Sequence, residues 1–256
     1  MTDKKKSFMN SSPKPVPPPR VSAVITDPDE ENEIFVVPPY LESVYKHRYF
    51  VHRFARFFQN NLTAAATNFF WSRRLVRFVA DEIRPGTDVL QFGIADGKLQ
   101  RVLAEKMSGE GAYHIEDISK PQVDALLPTV APWLNVRMKV RDFTIPTKRQ
   151  YDAAVLFFTL HELPDTRKAE VVKRAFAALK PSGKIIFVDY AKPRAWHPLK
   201  YPLRQFNRLF EPFAESLWKN EIKSFAPIDL QESKKIIWAK RTAFGGLYQC
   251  VIAQTR

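Results

Sequence analysis

The feature that most constrains the fold is the segment TDVLQFGIADG, residues 87–97. It begins with an apolar strand and continues into a turn that contains Gly93 and Gly97, after which a helix begins at Lys98. A backbone that passes from a strand through glycines into a helix N-terminus can approach a nucleotide-like ligand closely. The segment therefore predicts an α/β domain with a ligand site at this turn.

The rest of the chain alternates between strand and helix patterns. The predicted strands are 88–92, 112–115, 136–140, 153–158, 184–189, 235–241 and 248–253. Helices are predicted after the first strand to about 107, at 121–127 and at 165–179, and Gly245-Gly246 forms the last turn. This order predicts a Rossmann-like α/β fold. Its sheet is mostly parallel and seven-stranded, with helices on both faces and an antiparallel C-terminal hairpin.

Three segments flank or interrupt this pattern. Residues 1–38 contain seven prolines and few large apolar residues, which predicts a disordered Pro-rich tail; a Pro-rich ligand for a partner domain is the alternative. Residues 39–256 are predicted to form one domain, which begins with helices within 40–82. An insertion at 191–233 is rich in aromatic residues, which either line an apolar substrate pocket or pack the insertion onto the sheet.

Charge and composition limit the function classes. The net charge is +13, and the tail holds more acids than bases, so the positive charge belongs to the folded part. This favours an anionic neighbour. The basic, aromatic helix 40–58 suits either an anionic membrane surface or docking on the core. We find no recognised RNA-binding module and expect no nucleic acid partner.

Cysteine content and hydropathy indicate in which cellular compartment the protein is expected. Cys250 is the single cysteine, which excludes an internal disulfide and a cysteine-rich metal site. No apolar run reaches the ~18 residues of a membrane span, and the N-terminus lacks a signal-peptide pattern. We expect a cytoplasmic protein, with peripheral contact to the inner membrane as an option.

Polar residues follow four predicted parallel strands, where ligands bind in open α/β sheets. The turn with Gly93 and Gly97 follows the first strand. Asp117 ends the second, where one carboxylate can accept from both hydroxyls of a ribose. Asp142 follows the third, where a carboxylate can accept from an adenine amino group, and Phe158 ends the fourth. An aspartate at a strand end is also a common helix cap. The four strand ends taken together nevertheless predict a nucleoside-binding site.

Five motifs resemble those of the class I S-adenosylmethionine-dependent methyltransferases, from about 87 to 189: VLQFGIADG, HIEDIS, VRDF, YDAAVLFFTLHELP and LKPSGKIIFVDY. The resemblance implies the class I methyltransferase fold with S-adenosylmethionine as cofactor. That family usually has an acid and three alternating glycines in the first motif, where this chain has Gln91 and Ala95. Gln91 can hydrogen-bond but cannot pair as an ion with the cofactor ammonium. Asp96 is a candidate for that pairing, or for a metal ligand together with Asp117.

A closer resemblance covers most of residues 40–256. YLESVYKHRYFVHRFARFF, LFFTLHELP, FVDYAKPRAWHPLKY, LFEPFAESLW and FGGLYQ resemble the rhodoquinone biosynthesis protein family, RquA. The resemblance implies conversion of ubiquinone to rhodoquinone, with S-adenosylmethionine as amino donor and a divalent metal such as manganese. The family's two acids match Asp117 and Asp142. Asp96 stands where rhodoquinone-forming members carry a tyrosine, so the scaffold and substrate class carry over better than the reaction.

Methyl transfer to a ring hydroxyl or amine needs a base for one proton. His161, just after the fourth strand, is the first candidate and His197, on the insertion, is the second. Glu162 could orient a histidine or bind a metal. Each residue also has a purely structural interpretation. His161 and Glu162 could be a pair at the start of a helix, and His197 could fix a turn.

Three functions follow. The first is a methyltransferase acting on the ring of a prenylated quinone or its precursor. The second is formation of rhodoquinone by amination, and the third is a non-catalytic scaffold of a quinone-biosynthesis complex.

Overall fold

The computed structural model describes residues 38, 40, 72–95, 97–107 and 111–256. The predictions for the tail and for Asp96 therefore lie outside the described residues, apart from Pro38. Of the predicted helices at 40–82, Tyr40 and 72–82 are described, and the latter form a helix. No helix within the described ranges has the length and apolar character needed to cross a bilayer.

One seven-stranded sheet organises the molecule, in the order β3-β2-β1-β4-β5-β7-β6. β1 to β5 run parallel, and β7 pairs antiparallel with both β5 and β6. The strands are β1 Val89–Phe92, β2 Tyr113–Asp117, β3 Val136–Val140, β4 Tyr151–Phe157, β5 Leu179–Tyr190, β6 Ile237–Ala243 and β7 Tyr248–Gln254. The predicted fold class is confirmed, including the C-terminal antiparallel pair.

Seven described α-helices surround or extend the sheet: α1 Ser72–Glu82, α2 Lys98–Lys106, α3 Lys120–Val130, α4 Asp165–Ala177, α5 Lys200–Phe210, α6 Ser216–Lys219 and α7 Ile228–Lys234. Short 3-10 turns are found at Leu160–Glu162, Ile222–Phe225 and Phe244–Gly246. The side chains of α1, α2 and α3 join one hydrophobic cluster, and those of α4 join a second cluster.

Alternating apolar residues in the central strands supply both clusters. In β5, Ile186 and Val188 belong to the first cluster, whereas Ile185 and Phe187 belong to the second. Such a strand is buried on both faces, which is why it reads as a continuous apolar run rather than as an alternation of apolar and polar residues.

The strand order reverses between β1 and β4, and that point positions the site. β2 and β3 extend the sheet on one side of β1, and β5, β7 and β6 extend it on the other side of β4. The loops that leave β1 and β4 therefore diverge and leave a crevice at the carboxyl edge. The glycine turn of the sequence lies at this crevice.

The insertion folds as a set of short helices rather than one element. Leu217, Ile222 and Phe225 are buried in the second hydrophobic cluster. Trp196, Tyr201 and Phe210 are exposed large side chains. The sequence left packing and pocket lining open, and the structure shows that only part of the insertion's apolar surface packs against the sheet.

Candidate cofactor and acceptor site

The glycine turn after β1 has the backbone geometry that its residues predict. Gly93 and Gly97 have φ values of 82° and 75°, in the left-handed region that favours glycine. A Cβ added at Gly93 would lie 3.1 Å from Thr159 Oγ1, so the β1 and β4 loops approach closely here. Gly97 is the N-cap residue of α2.

Gln91 supports this turn from inside the core. Its side-chain Nε2 donates to the carbonyl oxygen of Gly93 at 2.8 Å, and its Oε1 accepts from the hydroxyl of Tyr113. Gln91 is fully buried. Its hydrogen bonds therefore stabilise the turn, and a direct contact with a cofactor stays a prediction.

Asp117 lies at the carboxyl end of β2 and faces the same turn. Its Oδ2 accepts from the backbone N–H of Ile94 at 2.7 Å, and its Oδ1 accepts from that of Ser119 at 2.7 Å. Burial raises the pKa of this carboxyl to about 7. Each carboxylate oxygen has two lone pairs, so each can accept one further hydrogen bond.

The residue before Asp117 is fixed by a buried ion pair. Both carboxylate oxygens of Glu116 accept from the guanidinium of Arg174 on α4, with Nη2 at 2.9 Å from Oε1. Arg141 adds a second cation, with Nη1 3.7 Å from Glu116 Oε1. The pair ties the end of β2 to α4 and so holds Asp117 in position.

A small cavity lies between the β1 and β4 loops. It is lined by Tyr40, Gly93, Ile94, Asp117, Ile118, Phe143, Phe158, Thr159, Glu162 and Leu163. The structure thus brings together four predicted site residues: Gly93, Asp117, Phe158 and Glu162. Phe158 has a φ of 53°, an uncommon value for a residue that carries a Cβ.

Asp142 is near this cavity, but its carboxylate already forms hydrogen bonds and an ion pair with neighbouring residues. Its Oδ1 accepts from the backbone N–H and the hydroxyl of Thr144, both at 2.8 Å, and its Oδ2 forms an ion pair with Arg167. The predicted contact with an adenine amino group is untested. Arg167 was not a predicted site residue.

Tyr40 is a cavity residue that the sequence did not indicate. Its ring makes an edge contact with Phe213 of the insertion at 6.2 Å between centroids, and burial raises its pKa. A segment far from the glycine turn in sequence thereby covers part of the crevice. Residues this remote in sequence can be brought together only by tertiary packing, which a local pattern does not encode.

His161 is held in a buried network of carboxylates. Its Nδ1 lies 2.9 Å from Oδ1 of Asp189, at the end of β5. The other Asp189 oxygen accepts from the backbone N–H groups of Leu160 at 2.8 Å and His161 at 3.2 Å. The Asp189 carboxylate thus fixes both the backbone and the ring of His161, and it favours a proton on Nδ1.

The opposite ring nitrogen of His161 faces two other acids. Nε2 is 3.8 Å from Oε1 of Glu162 and 3.6 Å from Oε2 of Glu211. Both distances exceed hydrogen-bond length. Glu162 also lines the cavity, so it connects His161 to the proposed cofactor pocket.

Asp189 and Glu211 were absent from the predicted site. Asp189 could have been predicted from the sequence, since it is an acid at the end of the fifth predicted strand. Glu211 lies in the insertion, where no regular pattern indicates which side chains turn inward.

His197 makes a different set of contacts. Its Nδ1 accepts from the backbone N–H of Leu199 at 3.2 Å, and its ring contacts Phe244 at 5.2 Å between centroids. A Cβ at Gly245 would lie 2.4 Å from its Cδ2. These contacts fix the start of the insertion against the turn between β6 and β7, in accord with the structural alternative, and a catalytic role for His197 stays untested.

A metal site has no geometric support in the described ranges. Among residues 72–95, 97–107 and 111–256, no group of three or more His, Cys, Asp or Glu side chains is placed to hold a metal ion. The predicted pairing of Asp117 with Asp96 cannot be described because Asp96 lies outside these ranges.

The methyltransferase domain family matches the chain over residues 63–224. The chain belongs to this family. Its membership confirms the resemblance to the methyltransferase superfamily that the glycine turn and the strand-end acids predicted. The closer resemblance to the rhodoquinone biosynthesis family is untested.

An uncharacterised methyltransferase of Geobacillus kaustophilus is 31% identical to this methyltransferase-family chain over 122 residues, which are 46% of this chain and 53% of the relative. The chain therefore spans about half the length of the curated relative that it matches.

Solved structures share the fold. The N-methyltransferase NodS of Bradyrhizobium japonicum, in complex with S-adenosyl-L-homocysteine, matches with a TM-score of 0.54 and 15% identity, over 80% of this chain and 97% of that one. Human N-acetylserotonin methyltransferase, in complex with SAM, matches with a TM-score of 0.58 and 17% identity, over 86% and 60% of the two chains.

Proposed function

We propose that this protein is an S-adenosylmethionine-dependent methyltransferase that acts on a ring oxygen of an apolar, quinone-like compound. The observation that carries the proposal is the position of Asp117. Its buried carboxylate lines one cavity with Gly93, at the point where the strand order reverses. Membership of the methyltransferase family supports the reaction class.

The residues present fit the cofactor. The carboxylate of Asp117 retains acceptor capacity for two ribose hydroxyls, and Gly93 contributes backbone atoms to the cavity wall. Phe143 and Ile118 give the cavity apolar walls for a base. When bound here, S-adenosylmethionine supplies an electrophilic methyl group.

His161 is the proposed base. With a proton on Nδ1 held by Asp189, Nε2 has a lone pair that can take the proton of an acceptor hydroxyl, directly or by way of Glu162. The acceptor oxygen forms the new bond to the methyl carbon as the sulfur–carbon bond breaks, and the sulfur keeps that electron pair. The proton stays on the enzyme until solvent removes it.

The insertion supports an apolar acceptor. It places Phe213 against Tyr40 at the cavity mouth and leaves Trp196, Tyr201 and Phe210 exposed. The chain's resemblance to a quinone-modifying family points to the same substrate class.

We also propose peripheral contact with an anionic membrane. Exposed aromatic side chains at Trp196, Tyr201 and Phe210 lie among the basic residues Arg194, Lys200, Arg204 and Arg208. Amphipathic helices of this composition bind at the bilayer surface, where a prenylated quinone also resides. The occupant of this surface is therefore proposed to be anionic lipid.

Amination of ubiquinone is the second candidate function, favoured by the sequence resemblance over residues 40–256. It would place S-adenosylmethionine in the same cavity as amino donor and would include a divalent metal. A scaffold role predicts that neither the cofactor nor the acids of the cavity matter.

The test is mass spectrometry of the lipid quinone pool from a ubiquinone-making host, with and without this gene and its Asp117→Ala variant. A quinone that gains one methyl, only with the unaltered protein, supports methyl transfer. Replacement of a methoxy by an amino group would establish amination instead. An unchanged pool, with no affinity of the purified protein for S-adenosyl-L-homocysteine, would reject both enzymatic functions and favour the scaffold.

A further inference from the structure

A buried polar group one helical turn before Glu211 has no role in the account above. Asn207 on α5 is 1% exposed, and neither its Oδ1 nor its Nδ2 has a hydrogen-bond partner within the described residues. An amide buried without partners costs stability, commonly by 1 to 3 kcal/mol. Such a group is a candidate to bind a ligand.

The position of Asn207 indicates which ligand. The backbone N–H of Glu211, the C-cap residue of α5, donates to the carbonyl oxygen of Asn207 at 2.8 Å. Asn207 therefore lies in the last turn of α5, four residues before Glu211. Glu211 is 3% exposed, and its Oε2 is 3.6 Å from Nε2 of His161.

The last turn of α5 is therefore buried and polar at Asn207, whereas the turn before it is apolar. Leu203, four residues before Asn207, packs against the first hydrophobic cluster. A helix that only covered the sheet would be expected to continue this face with apolar residues. The exception lies one turn before Glu211, whose carboxylate faces the proposed base.

We propose that Asn207 recognises a ring oxygen of the acceptor and so presents the neighbouring hydroxyl to His161. This inference rests on the proposed function for the identity of the acceptor. A carboxamide has two donors and an acceptor oxygen, so it can bind a carbonyl, methoxy or hydroxyl oxygen of a quinone or hydroquinone ring. Sites that hydrogen-bond a substrate oxygen discriminate strongly against analogues that lack it.

The experiment compares Asn207→Leu with the unaltered protein. Leucine has a similar size and no polar atoms, so the thermal midpoint should rise if the buried amide is unpaired in the free protein. Affinity is measured by titration with the hydroquinone form of a one-isoprene ubiquinone analogue, in the presence of S-adenosyl-L-homocysteine. The matching ring without oxygen substituents is the second probe.

We expect Asn207→Leu to bind the hydroquinone about tenfold more weakly, and to bind the oxygen-free ring as the unaltered protein does. Gln100→Leu is the matched control because Gln100 on α2 is also buried with both polar atoms unpaired within the described residues. It should raise the thermal midpoint and leave hydroquinone affinity unchanged.

Two results would overturn the inference. One is a stabilised Asn207→Leu protein with unchanged hydroquinone affinity, and the other is an unaltered protein that does not distinguish the two rings. Failure of the proposed function is separate. It would appear as absent binding of S-adenosyl-L-homocysteine, while the dependence of hydroquinone binding on Asn207 is read from a second titration without that cofactor.

Discussion

At the scale of single residues, the site depends on carboxylates that already have protein partners. Asp117 accepts two backbone N–H groups, and Asp189 holds both the ring and the backbone of His161. These bonds fix the direction of each acid before any ligand binds, which lowers the cost of ordering the site. Each acid can be tested separately.

Asp117 should make cofactor binding depend on pH. Burial raises its pKa to about 7 in the free protein, and ribose hydroxyls donate best to the charged form. Binding of S-adenosyl-L-homocysteine should therefore weaken as pH falls from 8 to 6. Isothermal titration calorimetry measures the dissociation constant, and Asp117→Ala should bind poorly at every pH. An affinity independent of pH in the unaltered protein would contradict this role.

Asp189→Asn should separate catalysis from cofactor binding. The amide can donate to Nδ1 of His161 and so move the ring proton to Nε2, which removes the base. We expect turnover to fall by about 100-fold or more, with unchanged affinity for S-adenosyl-L-homocysteine. Rates across pH are measured on protein whose folding is checked by circular dichroism, with Asp152→Asn at the opposite edge of the sheet as control. Equal loss in both variants would reject the role.

The positions of site residues could be predicted from sequence only where strand ends define them. Asp117 was predicted because it ends an apolar run, and the structure places it in the cavity. The ion pair of Asp142 with Arg167 was missed because Arg167 lies on a helix distant in sequence. The burial of Glu211 and Asn207 was not predicted because the insertion has no period that indicates which positions face inward.

At the scale of elements, α4 holds the cofactor edge of the sheet. Its Arg174 forms the buried pair with Glu116 and also donates to the carbonyl oxygen of Phe143, a cavity residue, at 3.2 Å. Lys168, one further buried cation on α4, donates to the carbonyl oxygen of Phe213 at 3.0 Å. One helix thus fixes the end of β2 and the insertion together.

Arg174→Met should be strongly destabilising. It removes both hydrogen bonds that the buried Glu116 accepts from Arg174 and leaves Arg141, with Nη1 3.7 Å from Oε1, beside the carboxylate. Because one cation remains, we expect a loss of about 3 kcal/mol of unfolding free energy, the low end for breaking a buried pair. Urea unfolding measures the loss, and the double variant with Glu116→Gln should recover part of it. A single variant as stable as the unaltered protein would show that the pair does not hold β2.

The elements of the sheet were predictable and those of the insertion were not. β3 was predicted within its observed bounds, and β4 and β5 were predicted two to five residues short at their starts. The start of β5 was missed because it contains Pro181 and Gly183, which normally indicate a turn. The helices of the insertion depend on tertiary contacts such as those of Lys168.

At the scale of the whole molecule, the insertion contributes both to the crevice and to the exposed aromatic side chains. Its Phe213 contacts Tyr40 at the cavity, and its Trp196, Tyr201 and Phe210 are open to solvent. This arrangement suits an enzyme that takes an apolar acceptor from a lipid surface. The positive net charge of the chain is consistent with an anionic lipid surface.

The exposed aromatic side chains of the insertion should bind lipid vesicles. We expect the protein to sediment with phosphatidylglycerol vesicles and much less with phosphatidylcholine vesicles, because both apolar insertion and charge contribute. Replacing Trp196, Tyr201 and Phe210 by serine should reduce sedimentation severalfold. The matched control replaces Leu134, an exposed apolar residue outside the insertion, by serine. Equal binding of the triple variant would place the lipid contact elsewhere or exclude it.

The most direct test of the central claim follows the methyl group itself. Purified protein is incubated with the hydroquinone analogue and with S-adenosylmethionine that carries a deuterated methyl group. The mass of the product is measured by mass spectrometry. The account predicts a product heavier by one deuterated methyl group, formed together with S-adenosyl-L-homocysteine and abolished by Asp117→Ala. A product in which an amino group replaces a methoxy, or no transfer of the label, would contradict it.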